Sequence, residues 1–442
     1  MSSGWGINDL EKWDELIRNT ASTYNLDWYP ISYEICDYYE MIGHMSYHGM
    51  PSHYNHWSYG KSFERTHQMY NLGMSGLPYE LIINSDPSIA YLMRQNDLYL
   101  QILIMAHCVG HSDFFKNNRC FKDTDAKNAV TRFRNARNRI QSYSENVLIG
   151  EDAVEKFIDN LHTIRFQTER HNIARLSPKE IKNRMISKIN NEKHKDKEKR
   201  KLNLKKLKGR ILQPDHDLLS FLLEQGDHFE DWQLDIINII KEESHYFIPQ
   251  MRTKILNEGW ASFWHYKILH ELDLPQAYHI PFLKMHNAVV RPHIGGVNPY
   301  HVGFYLFQKI EREMGLDECF LVREIHDDVS AIRMYLDEDD FRKLNLFTFS
   351  KDKEGDTFID EVSDHQEWKV VRDELIRNTG INTVPQIHVV NLLSDRKMIL
   401  RHDHDGRDLE LDYADRVVDS IRELWPYEVS LFTMIEGEVW EI

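Results

Sequence analysis

The chain has 442 residues, a length that favours one large domain plus a smaller one, or about three domains. Apolar residues make up 41% of the sequence and aromatic residues 12%, which is typical of a packed globular protein and excludes a largely disordered chain. The formal charge of −16 at pH 7 argues against general binding of nucleic acid or of an anionic membrane, because the long-range field repels phosphate.

Cysteine usage and hydropathy indicate the compartment. The four cysteines (Cys36, Cys108, Cys120 and Cys319) form no CxxC pair and fit neither a disulfide framework nor a zinc finger. The N-terminus carries no basic start followed by an apolar run, and no stretch approaches the roughly 18 uncharged apolar residues of a membrane span. We therefore expect a cytoplasmic protein with no integral membrane segment.

The N-terminal part of the chain predicts two helices separated by less regular sequence. Residues 8–26 have the pattern of an amphipathic helix, whereas 29–76 are dense in Tyr, His, Gly and Trp and predict ordered irregular structure. Residues 79–84 predict a short strand. From Pro87 a long helical pattern continues through His107, so that His107 is expected late in a buried helix.

The composition changes between about 128 and 215, where apolar residues become sparse. A basic run occupies residues 193–210, within a predicted insertion of about 178–212. A solvated helix or mobile insertion is the first interpretation, and a docking patch for an acidic partner is the second. No aromatic residues are interleaved with the charges, so nucleic-acid binding is not expected.

The remainder predicts helices followed by a mixed C-terminal region. Helical patterns return from residue 215 to about 335, and short strands with two helices follow residue 336. The predicted fold class is α+β, with a large mainly α-helical domain over 1–336 and a small C-terminal α+β domain over 337–442.

Two separated segments predict a divided metal site. His107 and His111 are four residues apart and share a helix face, so that both imidazoles can bind one cation. This spacing arises readily by chance in a chain with 24 histidines. Glu258 and His265, seven residues apart, form a second stripe. A buried carboxylate such as Glu258 requires a cation or strong donors, because an unpaired one costs several kcal/mol.

The pair of segments resembles the gluzincin metallopeptidases, in which two helical histidines and a later glutamate bind zinc. Those enzymes need HExxH, and the position of its catalytic glutamate is Cys108 here. Glu243 is the preferred replacement acid or base, with a structural ion pair as the alternative. Glu242 and His245 have the Glu-x-x-His spacing of di-iron bundles, so a second metal is a weaker alternative.

Other histidine and aspartate motifs are less specific. His301 and His326 are lone candidates, and His402-Asp-His404-Asp-Gly406 is interpreted first as a polar hairpin between strands. Asp327 and Asp328 are interpreted first as a helix start or an ion pair. The predicted ligands therefore stay His107, His111 and Glu258, with His265 as a fourth ligand or an acid/base.

Taken together, the motifs resemble the stage V sporulation protein R (SpoVR) family. They run from about residue 24 to 336 and are Tyr33-Glu-Ile-Cys36, Gly49-Met-Pro51, His56-Trp-Ser-Tyr-Gly-Lys61, Tyr79-Glu-Leu-Ile-Ile-Asn-Ser85, His107-Cys-Val-Gly-His-Ser-Asp-Phe-Phe-Lys-Asn-Asn118, Asn257-Glu-Gly-Trp-Ala-Ser-Phe-Trp-His265, Asn298-Pro-Tyr300 and Ile325-His-Asp-Asp-Val-Ser330.

The resemblance implies a role in spore cortex formation during sporulation or in a stress or starvation response. It also implies as partners a PrkA-type serine kinase and a von Willebrand A-like protein, whose genes accompany the family. We expect a bound divalent metal, with Zn²⁺ as the first candidate, and hydrolysis of an amide bond in a peptide or cell-wall precursor. The alternative is a non-catalytic regulator or scaffold that works with the kinase module.

Overall fold

A computed structural model of the chain describes residues 4–71, 80–171, 178–191, 215–293, 296–351, 357–362 and 367–442. The predicted basic run, 193–210, lies outside these residues. The helices are α1 (Ile7–Thr23), α2 (Tyr38–Ser46), α3 (Trp57–Asn71), α4 (Leu98–Asn117), α5 (Ala129–Ser144), α6 (Glu151–Ile164), α7 (Pro178–Asn191), α8 (Leu218–Gln225), α9 (Asp231–Arg252), α10 (Lys254–Glu271), α11 (Gln276–Val289), α12 (Pro299–Met314), α13 (Leu316–Ile325), α14 (Asp328–Tyr335), α15 (Glu338–Lys343), α16 (Trp368–Arg377) and α17 (Leu411–Leu424).

Within the described residues, the strands form three small sheets. They are β1 (Ile31–Cys36), β2 (Glu80–Ile83), β3 (Ser88–Met93), β4 (Phe347–Lys351), β5 (Thr357–Val362), β6 (Ile387–Leu392), β7 (Met398–His402), β8 (Val429–Ile435) and β9 (Glu438–Glu441). β3 lies between β1, to which it is parallel, and β2, to which it is antiparallel, while β4 and β5 form an antiparallel pair. The third sheet has the order β6-β7-β8-β9, and its parallel pair β7 and β8 is joined through α17. The α+β class predicted from the sequence is confirmed.

The prediction of one helix from Pro87 to His107 is wrong in its first half. Ser88–Met93 is strand β3, and α4 begins only at Leu98. A short apolar run is compatible with either a buried strand or a buried helix, and periodicity does not distinguish them. Pairing with β1 and β2 on both sides decided in favour of the strand.

The prediction of irregular structure for residues 29–76 is also wrong, because β1, α2 and α3 lie within it. The start of α2 has a local signal that the aromatic composition obscured. Asp37 accepts a hydrogen bond from the Glu40 backbone N–H at 2.9 Å, and the Glu40 carboxylate accepts one from the Asp37 N–H at 2.7 Å. This reciprocal capping box starts a helix.

The chain divides into two compact units, each built from two stretches. The first comprises residues 1–138 and 249–383, and the second 139–248 and 384–442. The sequence predicted a single boundary near residue 336, whereas β4, β5 and α16 belong to the first unit. None of the described helices is long and apolar enough to cross a membrane.

The core of the first unit is built around α4 and α10. Both helices are buried on nearly every face, so they lack the polar face of a surface helix. Glycine allows their backbones to approach closely: a Cβ on Gly110 of α4 would lie 2.7 Å from the Cα of Ala261. On its other side α10 contacts α12, where a Cβ on Gly259 would lie 2.4 Å from the Cα of Gly303. Side chains of α4 and α10 can therefore meet directly.

Candidate metal centre

Helix α4 carries two histidines on one buried face. His107 and His111 are one turn apart, and their ring centroids are 4.5 Å apart with the rings nearly perpendicular. Both side chains are almost fully buried. Their Nε2 atoms face the same carboxylate, that of Glu258 on α10.

Helix α10 completes the cluster with one carboxylate oxygen. Oε2 of Glu258 lies 3.7 Å from Nε2 of His107 and 3.3 Å from Nε2 of His111. One donor atom from each of the three residues lies within 4.8 Å of the others. Donor atoms that each lie about 2 Å from a tetrahedral zinc ion are roughly 3.3 Å apart, so this spacing fits a shared ion.

The second oxygen of Glu258 is bound by a lysine. Oε1 accepts a hydrogen bond from Nζ of Lys254, one turn earlier, at 2.5 Å. Burial raises the pKa of the Glu258 carboxyl, but Lys254 and the imidazoles of His107 and His111 lower it more, so that this pKa lies well below its usual range. Glu258 is therefore an anion whose Oε1 is compensated by Lys254, while Oε2 faces the imidazoles.

Asn257 fixes the orientation of His111. Its side-chain oxygen lies 2.9 Å from Nδ1 of His111, and an amide oxygen only accepts, so Nδ1 carries the proton. In neutral His111, Nε2 then presents a lone pair to the Glu258 carboxylate 3.3 Å away. Two acceptors at that distance require a cation between them or a second proton on the ring. The donor set therefore fits a divalent metal ion.

His107 belongs to a row of three buried imidazoles. Its Nδ1 lies 2.8 Å from Nδ1 of His265, and Nε2 of His265 lies 2.7 Å from Nδ1 of His286. Burial, with the neighbouring His107 and His286, holds the pKa of His265 well below its usual range, and burial lowers the pKa of His286 to about 4. These two rings are thus neutral at pH 7.

Neutral imidazoles have one N–H and one lone pair each, so the row has a direction. When Nε2 of His107 offers its lone pair toward Glu258, its Nδ1 donates to His265, and His265 in turn donates to His286. Both ring nitrogens of His265 are engaged in this way. The geometry gives His265 the position of a residue that orients a ligand, on the side of His107 away from Glu258.

The other acid/base candidate, Glu243, lies on the part of α9 that belongs to the second compact unit, whereas the cluster belongs to the first. Its predicted catalytic role stays a prediction. The Glu-x-x-His residues beside it have partners of their own: Glu242 accepts from Asn238, and His245 lies 3.0 Å from the Thr168 hydroxyl. Among the described residues, one group of three side chains has metal-site spacing, and it is the group of His107, His111 and Glu258.

The weaker histidine motifs have other surroundings. Nδ1 of His402 lies 3.0 Å from the hydroxyl of Thr433, and His404 pairs with Asp408. The chain after Gly406 enters α17 and not another strand, so the prediction of a hairpin there is wrong. The side chain of Glu410 caps α17, accepting from a backbone N–H in its first turn, and α17 is one of the two helices that the sequence predicts after residue 336.

Three residues of the site were absent from the sequence prediction. Lys254 is one turn before Glu258, and such a pair is visible in the sequence of a helix. Asn257 directly precedes Glu258, but its partner is on another helix. His286 carries no local signal, because it reaches His265 only through the packing of α11 against the core.

A buried cluster of two histidines and one glutamate, between adjacent helices of an α+β fold, has the donor set of a metalloprotein. The chain belongs to the SpoVR family, as its motifs predicted. A model described as SpoVR like protein matches residues 4–384, and one described as SpoVR-like C-terminal domain matches residues 385–436. The two matches meet where the second compact unit resumes, at Val384.

The chain is also similar to a curated relative, the uncharacterized protein YcgB of Escherichia coli (strain K12). The two are 31% identical over an alignment of 473 positions, which covers 97% of this chain and 92% of the relative. No solved structure matches the chain.

Proposed function

We propose that this SpoVR-family protein is a metal-dependent hydrolase of an amide bond, with a divalent ion, Zn²⁺ first, held by His107, His111 and Glu258. The observation that carries the proposal is the 3.3 Å approach of Nε2 of His111 to an ionised, buried carboxylate oxygen. A bound metal would polarise a carbonyl and increase the acidity of water. Each of these three side chains would supply one ligand atom to the ion.

The remaining residues of the cluster orient these donors. Asn257 directs Nε2 of His111 toward Glu258, and His265 with His286 does the same for His107. Lys254 holds Oε1 and leaves Oε2 for the ion. Cys108 is fully buried and stands where HExxH has its base, so the proton transfer falls to another group, and Glu243 is the candidate proposed from the sequence.

For the biological setting we propose sporulation, in spore cortex formation, or a stress or starvation response, as family membership suggests. An amide bond in a peptide or a cell-wall precursor would be the substrate, in the cytoplasm.

The second candidate function is a non-catalytic regulator or scaffold for a PrkA-type serine kinase and a von Willebrand A-like protein. The observation that favours it is the Lys254–Glu258 ion pair, which already supplies one cation to the buried carboxylate. A second proton on His111 would then satisfy the cluster without a metal. Metal binding separates the two candidates.

The test is the metal content of full-length protein purified without added metal, followed by Zn²⁺ and Co²⁺ titration. We expect about one equivalent in the wild type and loss of binding in His111→Ala and Glu258→Gln, because three donors are needed for a tight site. His265→Gln should weaken binding about 10–100-fold, the usual effect of losing a residue that orients a ligand.

His404→Ala is the matched control, because it removes a histidine of the competing His-Asp-His motif and should leave metal binding unchanged. A wild-type protein that neither contains nor binds stoichiometric metal contradicts the proposal. Stoichiometric metal without turnover in a peptide and muropeptide screen would favour a structural metal in the scaffold.

A further inference from the structure

The segment Arg323–Asp328, which runs from the last turn of α13 to the first residue of α14, is bonded to the end of α4. Nδ2 of Asn118, the residue that follows α4, donates to the carbonyl oxygens of Arg323 at 2.7 Å and His326 at 2.9 Å. The Arg323 guanidinium also lies 3.4 Å from the carboxylate of Asp113, which is in α4 itself. All of these groups are buried.

The same segment is bonded to the start of α10. The two carboxylate oxygens of Asp328 accept hydrogen bonds from the backbone N–H groups of Ile255 and Leu256, each at 2.9 Å. Asp327 forms an ion pair at 2.6 Å with Arg252, which is the last residue of α9. The two aspartates therefore hold the chain on both sides of Thr253, where α9 ends and α10 begins.

These contacts lie close to the ligands on both helices. Asn118 follows His111 by seven residues, about two helical turns, and Leu256 precedes Glu258 by two. A slip of one helix along the other by a single residue would move a side chain about 1.5 Å, whereas metal–ligand distances tolerate about 0.2 Å. Holding α4 and α10 at a fixed offset is thus a requirement of a divided site.

We propose that Arg323–Asp328 is a clamp that sets the axial offset between the two halves of the metal centre, with Asn118 and Asp328 as its positioning residues. The inference rests on the proposed metal centre. It also gives the Ile325-His-Asp-Asp-Val-Ser330 motif a role beyond the helix start or ion pair that the sequence predicts for its two aspartates.

An ordinary helix cap would contribute stability alone, so the test must separate stability from metal geometry. Full-length wild type, Asp328→Ala, Asp328→Asn and Asn118→Ala are compared for Zn²⁺ affinity by chelator competition, for Co²⁺ absorption spectra and for urea unfolding. Burial raises the pKa of Asp328 to about 7, and measurements at pH 8 therefore keep the wild-type carboxylate ionised.

We expect the Zn²⁺ dissociation constant to rise about 10-fold or more in Asp328→Ala and Asn118→Ala, with a changed Co²⁺ spectrum. Asp328→Asn keeps one acceptor for the two N–H groups and should fall between Asp328→Ala and the wild type. The matched control is Asp217→Ala. Asp217 is a buried aspartate that caps α8 in the other compact unit, and its loss should lower stability without changing the metal site.

Wild-type Zn²⁺ affinity and an unchanged Co²⁺ spectrum in the folded clamp variants would overturn the clamp but leave the metal centre intact. A wild-type protein that binds no metal would overturn both. If Asp328→Ala does not fold, Asp328→Asn and Asn118→Ala decide by the same readouts.

Discussion

At the residue scale, the two oxygens of the buried Glu258 carboxylate have different surroundings. Lys254 donates to one oxygen, and the imidazoles face the other. The proximity of His111 to Glu258 was predictable, because helical spacing and the need to compensate a buried carboxylate are local properties. The atoms that face each other were not, because they depend on Asn257.

His388 of β6 gives a prediction on pH dependence at the residue scale. Its Nε2 accepts hydrogen bonds from the Arg401 guanidinium at 3.2 and 3.0 Å, and burial, with His216 and Arg401 nearby, lowers its pKa from 6.5 to about 4. As the pH falls, His388 is therefore protonated in the unfolded chain before it is protonated in the folded protein. The resulting loss of stability is absent above about pH 6.5 and grows as the pH falls toward 4, by at most about 1.4 kcal/mol per pH unit.

We expect His388→Gln to show a smaller decrease in the free energy of unfolding between pH 7 and pH 5 than the wild type. Urea unfolding at both pH values measures it. An equal decrease in the two proteins would mean that His388 does not titrate in this way.

At the scale of elements, the close packing of α10 against α4 and α12 makes the cluster possible. Gly110 and Gly259 are needed because a Cβ atom at either position would meet the backbone of the neighbouring helix. Neither glycine forms a turn. Their positions within helices would suggest only a cost in helix propensity if the sequence were considered alone. The tertiary contacts show that a side chain would occupy space already filled by the neighbouring helix.

Gly259→Ala tests this packing. Because the added Cβ would lie 2.4 Å from the backbone of Gly303, α10 or α12 must shift, and we expect a loss of about 1–3 kcal/mol in urea unfolding together with weaker Zn²⁺ binding. Gly60→Ala in α3 is the matched control. Nothing lies within 4 Å of its Cβ position, so it should be neutral or stabilising by up to about 1 kcal/mol. Equal effects of the two substitutions would contradict the packing argument.

At the scale of the whole molecule, the second compact unit joins chain segments that are far apart in sequence. The backbones of Asp215 and Val389 exchange hydrogen bonds at 2.9 Å, and the ring of Phe221 lies 5.9 Å from that of Trp425. The C-terminal strands therefore share a core with helices from residues 139–248.

Trp425→Ala should report this shared core. Trp425 is fully buried and donates from Nε1 to the backbone oxygen of Arg396, and removing such a side chain costs about 3–5 kcal/mol. We expect faster hydrogen exchange in α6 and α8 as well as in β6 to β8, with little change in α4 and α10. Faster exchange confined to residues 384–442 would contradict a shared core.

The sequence by itself determined the family, the α+β class, most helix positions after residue 215 and the convergence of His107, His111 and Glu258. The family follows from the resemblance of the motifs, whereas the fold class, the helix positions and the convergence of the three side chains follow from local periodicity and from the cost of burying an uncompensated charge. Only the tertiary structure decided that Ser88–Met93 is a strand, that His286 adjoins His265, and that the carboxylate of Asp328 caps α10. Each of these depends on which distant segment packs alongside, and local sequence carries no record of that neighbour.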